Sequence, residues 1–377
     1  MARDINKRLE SLKKRRKGTD RILDVSMDSA AEVLAKSFFE EAYAKRAPQK
    51  SNTQYALGAM QAVDPDYTRI SLEEADRVAA QLRTGLAKAT IEVDFRLQGS
   101  VACDVHIRGV SDVDLLVIEE RYFRYSTEGQ NAKLGYYNNP VSYNTLSALT
   151  ELRTESEKIL IAAFPKATVT TTGAKAIKLT GGSLRRPVDV VPANWFNTPD
   201  YQLTVNESDR GIEILDMSTY ARILNLPFRH ISHINQRDSQ SLGGLKKAIR
   251  LCKSVKADAL EEGTKIDFSS LDIAATMWHA NIPALTVGIA DELSILAEAT
   301  RYLDFLARNN EHAKTLQVPD GSRKIFDSDN KFEALLQLSL EMDDLAEKVL
   351  REQNALTNIP FTHQQIFEHL QRTRVPG

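Results

Sequence analysis

Three aspartates and one Gly-Ser pair are the residues whose types and spacing can do chemistry in this chain. Asp112 and Asp114 alternate at the start of the apolar stretch DVDLLVI, and Asp189 stands alone in the apolar stretch PVDVVPA. Residues i and i+2 of a strand point to the same face and lie about 7 Å apart. An unpaired buried carboxylate costs several kcal/mol, roughly 3–5, so we expect Asp112 and Asp114 to share a hard cation.

Asp189, which comes from a later strand, is expected to join that cation site. Sets of oxygen ligands suit Mg²⁺ or Mn²⁺ held jointly with substrate phosphates. Two such ions about 3.5–4 Å apart can clamp the attacking and leaving oxygens of a phosphoryl transfer, and Asp189 could also accept the proton of the attacking hydroxyl. Gly99 and Ser100 offer backbone N–H groups and a hydroxyl to a triphosphate. The pattern therefore predicts metal-assisted phosphoryl transfer from a triphosphate, with two divalent ions.

A sheet has to position these residues, and the hydrophobic pattern predicts one. Val93, Phe95 and Leu97 alternate with charged residues directly before Gly99, which is typical of a half-buried strand. Further strands are predicted over 112–118, 166–171 and 174–180 and in RRPVDVVPA, and helices over 26–45, 71–88 and 144–163. Ser71 and Glu74 have the spacing of a capping box at the start of the second helix.

Beyond Pro227 the pattern becomes helical. Helices are predicted over 241–256, 269–280, 287–307, 329–353 and 364–372. The chain of 377 residues exceeds the roughly 250–300 residues of a single core, so two subdomains are expected. The predicted fold class is α+β: a mixed sheet with a helical spine in residues 1–225 and a helical domain in residues 226–377, onto which the N-terminal helices could pack.

Composition excludes several classes of function. The 49 Lys and Arg residues against 51 Asp and Glu residues give a net charge of −2, so no global positive field for long nucleic acid is expected. Cys103 and Cys252 are far apart and fit a reducing compartment. No run approaches the ~18 apolar residues of a membrane helix. We therefore expect a cytoplasmic location and no membrane partner.

Local basic segments leave alternatives open. Lys246, Arg250 and Lys253 follow one another along a stripe that borders the apolar positions of the helix after the sheet. This stripe predicts either a solvated amphipathic face or a binding surface for a triphosphate. The run of basic residues over 13–17 is either a solvated helix end or a contact with nucleic acid or a partner.

Taken together, Gly99-Ser100, Asp112-x-Asp114 and Asp189 resemble the polymerase-β-type nucleotidyltransferase superfamily. The helical remainder resembles its branch with oligoadenylate synthase, cyclic GMP-AMP synthase and the cGAS/DncV-like bacterial cyclic-oligonucleotide synthases of anti-phage (CBASS) signalling, the CD-NTases. The segments GGLKKAIRLCKSVKAD and IDFSSLDIAATMWHA carry this second resemblance. It implies a polymerase-β-like sheet and an oligoadenylate-synthase-like helical domain.

The resemblance also implies roles for residues outside the sheet. Lys253 and Ser270 would contact the donor triphosphate, and Leu271 stands where the family has an aromatic residue. Some family members are joined to a target through a C-terminal glycine by ubiquitin-transfer-like partners, which makes Gly377 a candidate for such conjugation.

The predicted function is that of a template-independent nucleotidyltransferase. It would join nucleoside triphosphates, ATP and GTP first among them, into a cyclic di- or trinucleotide second messenger and release pyrophosphate. Two alternatives remain open at this point. The same carboxylates could serve an enzyme that adds nucleotides to RNA or to a protein, or the chain could be a catalytically inactive nucleotide-binding scaffold.

Overall fold

The computed structural model describes residues 4–19, 41–354 and 361–375. Its helices are α1 (Ile5–Lys17), α2 (Ala42–Arg46), α3 (Ser51–Met60), α4 (Pro65–Lys88), α5 (Gly99–Ala102), α6 (Gln130–Lys133), α7 (Thr145–Ala163), α8 (Pro199–Thr204), α9 (Pro227–Gln240), α10 (Gly244–Glu261), α11 (Ser270–Trp278), α12 (Ile282–Val287), α13 (Leu293–Arg308), α14 (Asn310–Ala313), α15 (Asp329–Asn354) and α16 (His363–Gln371). Its strands are β1 (Val93–Gln98), β2 (Val113–Tyr125), β3 (Thr168–Thr170), β4 (Ile177–Thr180), β5 (Val188–Asn197), β6 (Gly211–Asp216) and β7 (Ala221–Asn225). Most of the helix predicted over 26–45 lies outside the described residues, as does Gly377.

One unit, formed by Pro65–Cys103 and Ser111–Ser232, contains the sheet. Its strands follow the order β1-β2-β5-β4-β3, and β6 pairs with β5 and β7. Strands β2 and β5 run parallel, while the other paired strands are antiparallel. The mixed sheet predicted from the alternating stretches is therefore present.

The alternation of side chains divides the sheet into two buried faces. Leu115 and Val190 point to the face that packs against α4 and α7, where Leu82 and Leu149 belong to the same apolar cluster. Leu116, Ile118, Val191 and Ala193 point to the opposite face and form a second cluster with Trp195, Ile212 and Ile214. Because residues i and i+2 share a face, Asp114 and Asp189 lie on the side of this second cluster.

Helix α4 begins earlier than the sequence predicts, and the capping box at Ser71 is wrong. The helix begins at Pro65, a residue that suits the first helical position because its missing N–H has no partner there in any case. Ser71 lies inside the helix, where its hydroxyl donates to the carbonyl of Tyr67 at 3.0 Å. The Glu74 carboxylate accepts a hydrogen bond from Arg185 at 2.6 Å.

The second unit is helical and joins segments that are distant in sequence: Met1–Asp64, Asp104–Val110 and His233–Gly377. The N-terminal helices thus group with the C-terminal ones, a packing that the sequence left open, and the predicted division after residue 225 stays a prediction. Ile5, Leu9 and Leu12 bury one stripe of α1, and the buried Arg8 of that helix bonds to Glu341 of α15 at 2.7 Å.

One further difference concerns a helix of this unit. The helix predicted over 287–307 begins later, at Leu293 of α13, and its predicted first residue, Val287, instead ends α12 directly before Gly288. Glycine is a poor helix former, and a Cβ at Gly288 would lie 2.4 Å from the side chain of Ile295, so close packing favours glycine at this break. No helix in the described part of the chain has both the length and the apolar character that a membrane-spanning segment needs.

Candidate active site

Two of the three predicted carboxylates, Asp114 and Asp189, lie in a row of paired residues that crosses four strands of the sheet. In the strand register, Gln98 of β1 pairs with Asp114 of β2, Asp114 pairs with Asp189 of β5, and Asp189 pairs with Lys178 of β4. Neighbouring strands lie about 4.8 Å apart, so Asp114 and Asp189 are direct neighbours on one face. We call these four residues, the two carboxylates with Gln98 and Lys178 on either side, the carboxylate row.

Asp112, two residues before Asp114, reaches the same place. The ammonium of Lys178 donates a hydrogen bond to Asp112 and lies 4.0 Å from Oδ1 of Asp189. Carboxylates from two separate strand regions therefore approach one ammonium group. The hydrogen bond to Asp112 raises the pKa of Lys178, and the charges of Asp189 and Asp114 add to this effect.

Asp189 is largely buried, with its side chain 24% exposed. Its Oδ1 atom is buried and has no hydrogen-bond partner among the described residues. Desolvation raises the pKa of Asp189, the charge of Asp112 raises it further, and Lys178 acts in the opposite direction. A divalent ion at this position would supply the missing partner and would favour the charged carboxylate.

Gly99 brings the backbone against the carboxylate row at the start of α5. Its φ is +72°, a left-handed conformation that glycine adopts without steric cost. A Cβ at Gly99 would lie only 2.0 Å from Oδ2 of Asp114. Glycine is therefore required both by the backbone conformation and by the nearby carboxylate. Ser100 follows in the same short helix and is half-buried.

The basic stripe of α10 differs from the cationic edge that the sequence predicts. Lys253 is 4% exposed, and its ammonium donates to the carbonyl of Val105 at 2.8 Å. The equally buried Arg250 donates to the carbonyls of Met60 at 2.9 Å and Asp104 at 2.7 Å. These side chains bind backbone carbonyls because α10 lies in the interior of the helical unit.

Ser270, the other residue predicted to hold a triphosphate, is the exposed first residue of α11. The preceding Ser269 is the N-cap and forms a capping box with Asp272, while Leu271 is exposed. Lys253 and Ser270 belong to the helical unit, whereas the carboxylate row belongs to the sheet unit. Their contact with a triphosphate stays a prediction, as does conjugation at Gly377.

Comparison with individual known proteins identifies the family, although no family model matches the chain. A cyclic dinucleotide synthase CdnE from Yersinia aleksiciae is 42% identical over 359 residues, which cover 92% of this chain and 92% of the relative. The chain belongs to the CD-NTases. It is a nucleotidyltransferase of the cyclic-oligonucleotide synthase class, as predicted from its sequence.

Two further comparisons support this CD-NTase assignment. A c-di-GMP synthase from a Lachnospiraceae bacterium is 31% identical over 307 residues, covering 76% of this chain and 85% of the relative. The solved structure of a STING-associated CdnE c-di-GMP synthase from Capnocytophaga granulosa is 27% identical, with a TM-score of 0.69 over 91% of this chain and 97% of that one. The predicted fold class is thereby confirmed.

Lys178 is the residue of this CD-NTase site that the sequence analysis missed. It stands between the apolar residues Ile177 and Leu179 of β4, so the alternation does show that it faces away from that apolar pair. The alternation does not show which residue of β5 lies opposite. Only the register places Lys178 beside Asp189.

A second group of potential ligands lies elsewhere in the CD-NTase. Within the described ranges, one atom each of Asp304, Asp343 and His363 lies within 4.8 Å of the others. Nδ1 of His363 is 3.4 Å from Asp343 and 4.0 Å from Asp304, so the imidazole lies between the two carboxylates and joins α16 to α13 and α15. None of these residues was predicted to hold an ion.

Proposed function

We propose that this CD-NTase joins two nucleoside triphosphates into a cyclic dinucleotide and releases one pyrophosphate at each of two joining steps. The convergence of Asp112, Asp114 and Asp189 at the carboxylate row carries the proposal. The names of the relatives that cover most of the chain, cyclic dinucleotide synthase and c-di-GMP synthase, support a dinucleotide over a longer product.

The residues present fit divalent ions, for which we propose two Mg²⁺ or Mn²⁺. All donors are carboxylate oxygens, the ligands these ions prefer. Oδ1 of Asp189 lacks a hydrogen-bond partner among the described residues, and the ammonium of Lys178 stands where a cation can contact both Asp112 and Asp189. When bound, such ions stabilise the negative charge that develops on the phosphate oxygens during transfer.

The residues of the chain bind and orient the triphosphate, and one of them accepts a proton. A ribose hydroxyl oxygen of one nucleotide forms a bond to the α-phosphorus of the other, and the α–β phosphoanhydride bond breaks so that pyrophosphate leaves with the electron pair. Asp189 accepts the hydroxyl proton. Gly99 and Ser100 bind the triphosphate beside Asp114 through backbone N–H groups and the Ser100 hydroxyl, while contact of Lys253 and Ser270 with it stays a prediction. A second transfer closes the ring.

The substrates and the cellular role of this CD-NTase can also be proposed. We propose ATP and GTP as substrates and the cytoplasm as the location, because both nucleotides are supplied there. The relative from Capnocytophaga granulosa is described as STING-associated, which supports a role in bacterial anti-phage signalling. An RNA or protein acceptor and an inactive scaffold are not favoured by the named relatives.

The double variant Asp112→Ala with Asp114→Ala tests the proposal. Purified protein is incubated with the four labelled ribonucleoside triphosphates and Mg²⁺ or Mn²⁺, and products are identified by mass spectrometry. We expect a small cyclic product from the wild type and none from the double variant. Glu155→Ala on α7, which packs on the other face of the sheet, is the matched control and should retain full activity. Undiminished turnover in the double variant, with both proteins folded, would refute the site.

A further inference from the structure

Lys178 is a feature of the carboxylate row that the transfer chemistry described above does not use. Its ammonium donates to Asp112 and lies 4.0 Å from Oδ1 of Asp189. These are oxygens from two of the three side chains proposed to hold divalent ions. The inference that follows therefore rests on the proposed function and concerns how ions and nucleotide enter the same site.

An ammonium and a divalent ion cannot both occupy the space between Asp112 and Asp189. The Asp112 oxygen that accepts from Lys178 has to turn to the ion, and the unit positive charge of Lys178 repels a divalent ion at this short distance. The lysine side chain is able to leave, because it is 45% exposed and has a flexible four-carbon stem. Ion binding thus includes the cost of breaking the contact between Lys178 and Asp112.

A triphosphate can offset that cost. It carries several negative charges and many acceptor oxygens, and it is proposed to bind beside Asp114, the neighbour of Asp189 in the register. An ammonium released from Asp112 can donate to these oxygens. Ion binding releases the Lys178 ammonium, which the triphosphate attracts. Triphosphate binding in turn removes the ammonium that repels the ion. Each ligand therefore strengthens the binding of the other by the same factor.

We propose that Lys178 is a positioning residue that competes with divalent ions for Asp112 and Asp189 and thereby couples ion binding to nucleotide binding. Without nucleotide, the lysine holds the carboxylates and keeps ion affinity low. With nucleotide, the lysine moves to the phosphates and the carboxylates become available to the ions. The site is thus completed only when both ligands are present.

Lys178→Met removes the ammonium and keeps a side chain of similar length. The experiment measures the Mn²⁺ dissociation constant from the electron paramagnetic resonance signal of free Mn²⁺, with and without a non-hydrolysable triphosphate analogue. Without the analogue, we expect Lys178→Met to bind Mn²⁺ at least about fivefold more tightly than the wild type, the factor that corresponds to two unit charges about 4 Å apart in bulk water. The analogue should then improve Mn²⁺ affinity much less in the variant than in the wild type.

Matched variants make each outcome informative. Lys158→Met removes an exposed lysine of α7 that pairs with Glu155, and it should bind Mn²⁺ like the wild type. Lys178→Arg keeps the positive charge and should not tighten Mn²⁺ binding. If Lys178→Met should prove unstable, Lys178→Gln is measured in its place.

Two results would overturn the inference. Mn²⁺ affinity in Lys178→Met equal to or weaker than that of Lys158→Met would exclude competition, and tighter binding with an unchanged effect of the analogue would exclude coupling. Failure of the proposed function is recognised separately. If the Asp112→Ala, Asp114→Ala double variant binds Mn²⁺ as the wild type does, the ions are bound elsewhere.

Discussion

Replacement of Gly99 by alanine should reduce activity about 100-fold or more while leaving most of the protein's stability intact. Two features of the structure act against a side chain at this position. The backbone has a φ of +72°, and an added Cβ would lie 2.0 Å from Oδ2 of Asp114. The first feature affects stability, and the second moves a proposed ion ligand.

The size of each effect follows from the geometry. A left-handed conformation costs an alanine about 1–2 kcal/mol relative to glycine, so the free energy of unfolding should fall by roughly that amount. Real Cβ contacts essentially never fall under 3.0 Å, so the Asp114 carboxylate has to move by about 1 Å. A displacement of about 1 Å at a reacting site can reduce rate about 100-fold, so product formation should fall by about that factor or more.

Gly181→Ala separates the two effects. Gly181 lies in the same unit with a φ of +69°, and nothing lies within 4 Å of the position of its Cβ. Both variants should therefore lose similar stability in urea unfolding, but only Gly99→Ala should lose cyclic product by mass spectrometry. If Gly99→Ala keeps activity within about threefold of Gly181→Ala, the close approach of Gly99 to Asp114 is irrelevant to catalysis and the reasoning fails.

Two further predictions concern the helical unit. Burial lowers the pKa of His106 to about 4. Below about pH 6.5 the unfolded chain therefore binds a proton on the His106 imidazole that the folded protein does not bind. Stability should fall by about 2 kcal/mol between pH 6.5 and 5, and His106→Gln should flatten that slope in urea unfolding. Asp258→Ala leaves the buried Arg15 and Tyr55 without the carboxylate that both donate to, so the free energy of unfolding should fall by about 3–5 kcal/mol. Glu261→Ala, which removes only the exposed partner of Arg15, should cost less than about 1 kcal/mol, and an equal loss in both variants would contradict this account.

The strands of the site were predictable because β1 alternates charged and apolar residues, while β2 and β5 begin as short apolar runs. Leu115 and Val117 point to one face while Asp114 and Leu116 point to the other, and this local pattern needs no knowledge of distant residues. The carboxylates were found for the same reason, since they interrupt apolar strands. Helix α4 shows the limit of local signals: Ser71 and Glu74 fit a capping box, yet Pro65 provides an earlier start.

The parts that could not be predicted depend on contacts between distant residues. Lys253 has the spacing of an exposed cation, but its acceptor is the carbonyl of Val105, 148 residues earlier in the chain. Arg15 stands in a run of basic residues that is typical of a solvated helix end, but it is buried against Asp258. A buried cation and an exposed cation have the same sequence pattern when the burying segment lies far away.

The carboxylate row shows why register matters more than composition at this site. Asp112, Asp114 and Asp189 would repel one another wherever they met, and the sheet holds them together through the paired apolar residues that follow, such as Leu116 with Val191 and Ile118 with Ala193. A shift of one residue between β2 and β5 would turn Asp189 to the opposite face and leave Asp114 opposite an apolar side chain. Those apolar pairs fix the register, so they also fix the distance between carboxylates. The chemistry of the site thus depends on apolar residues that never contact a substrate.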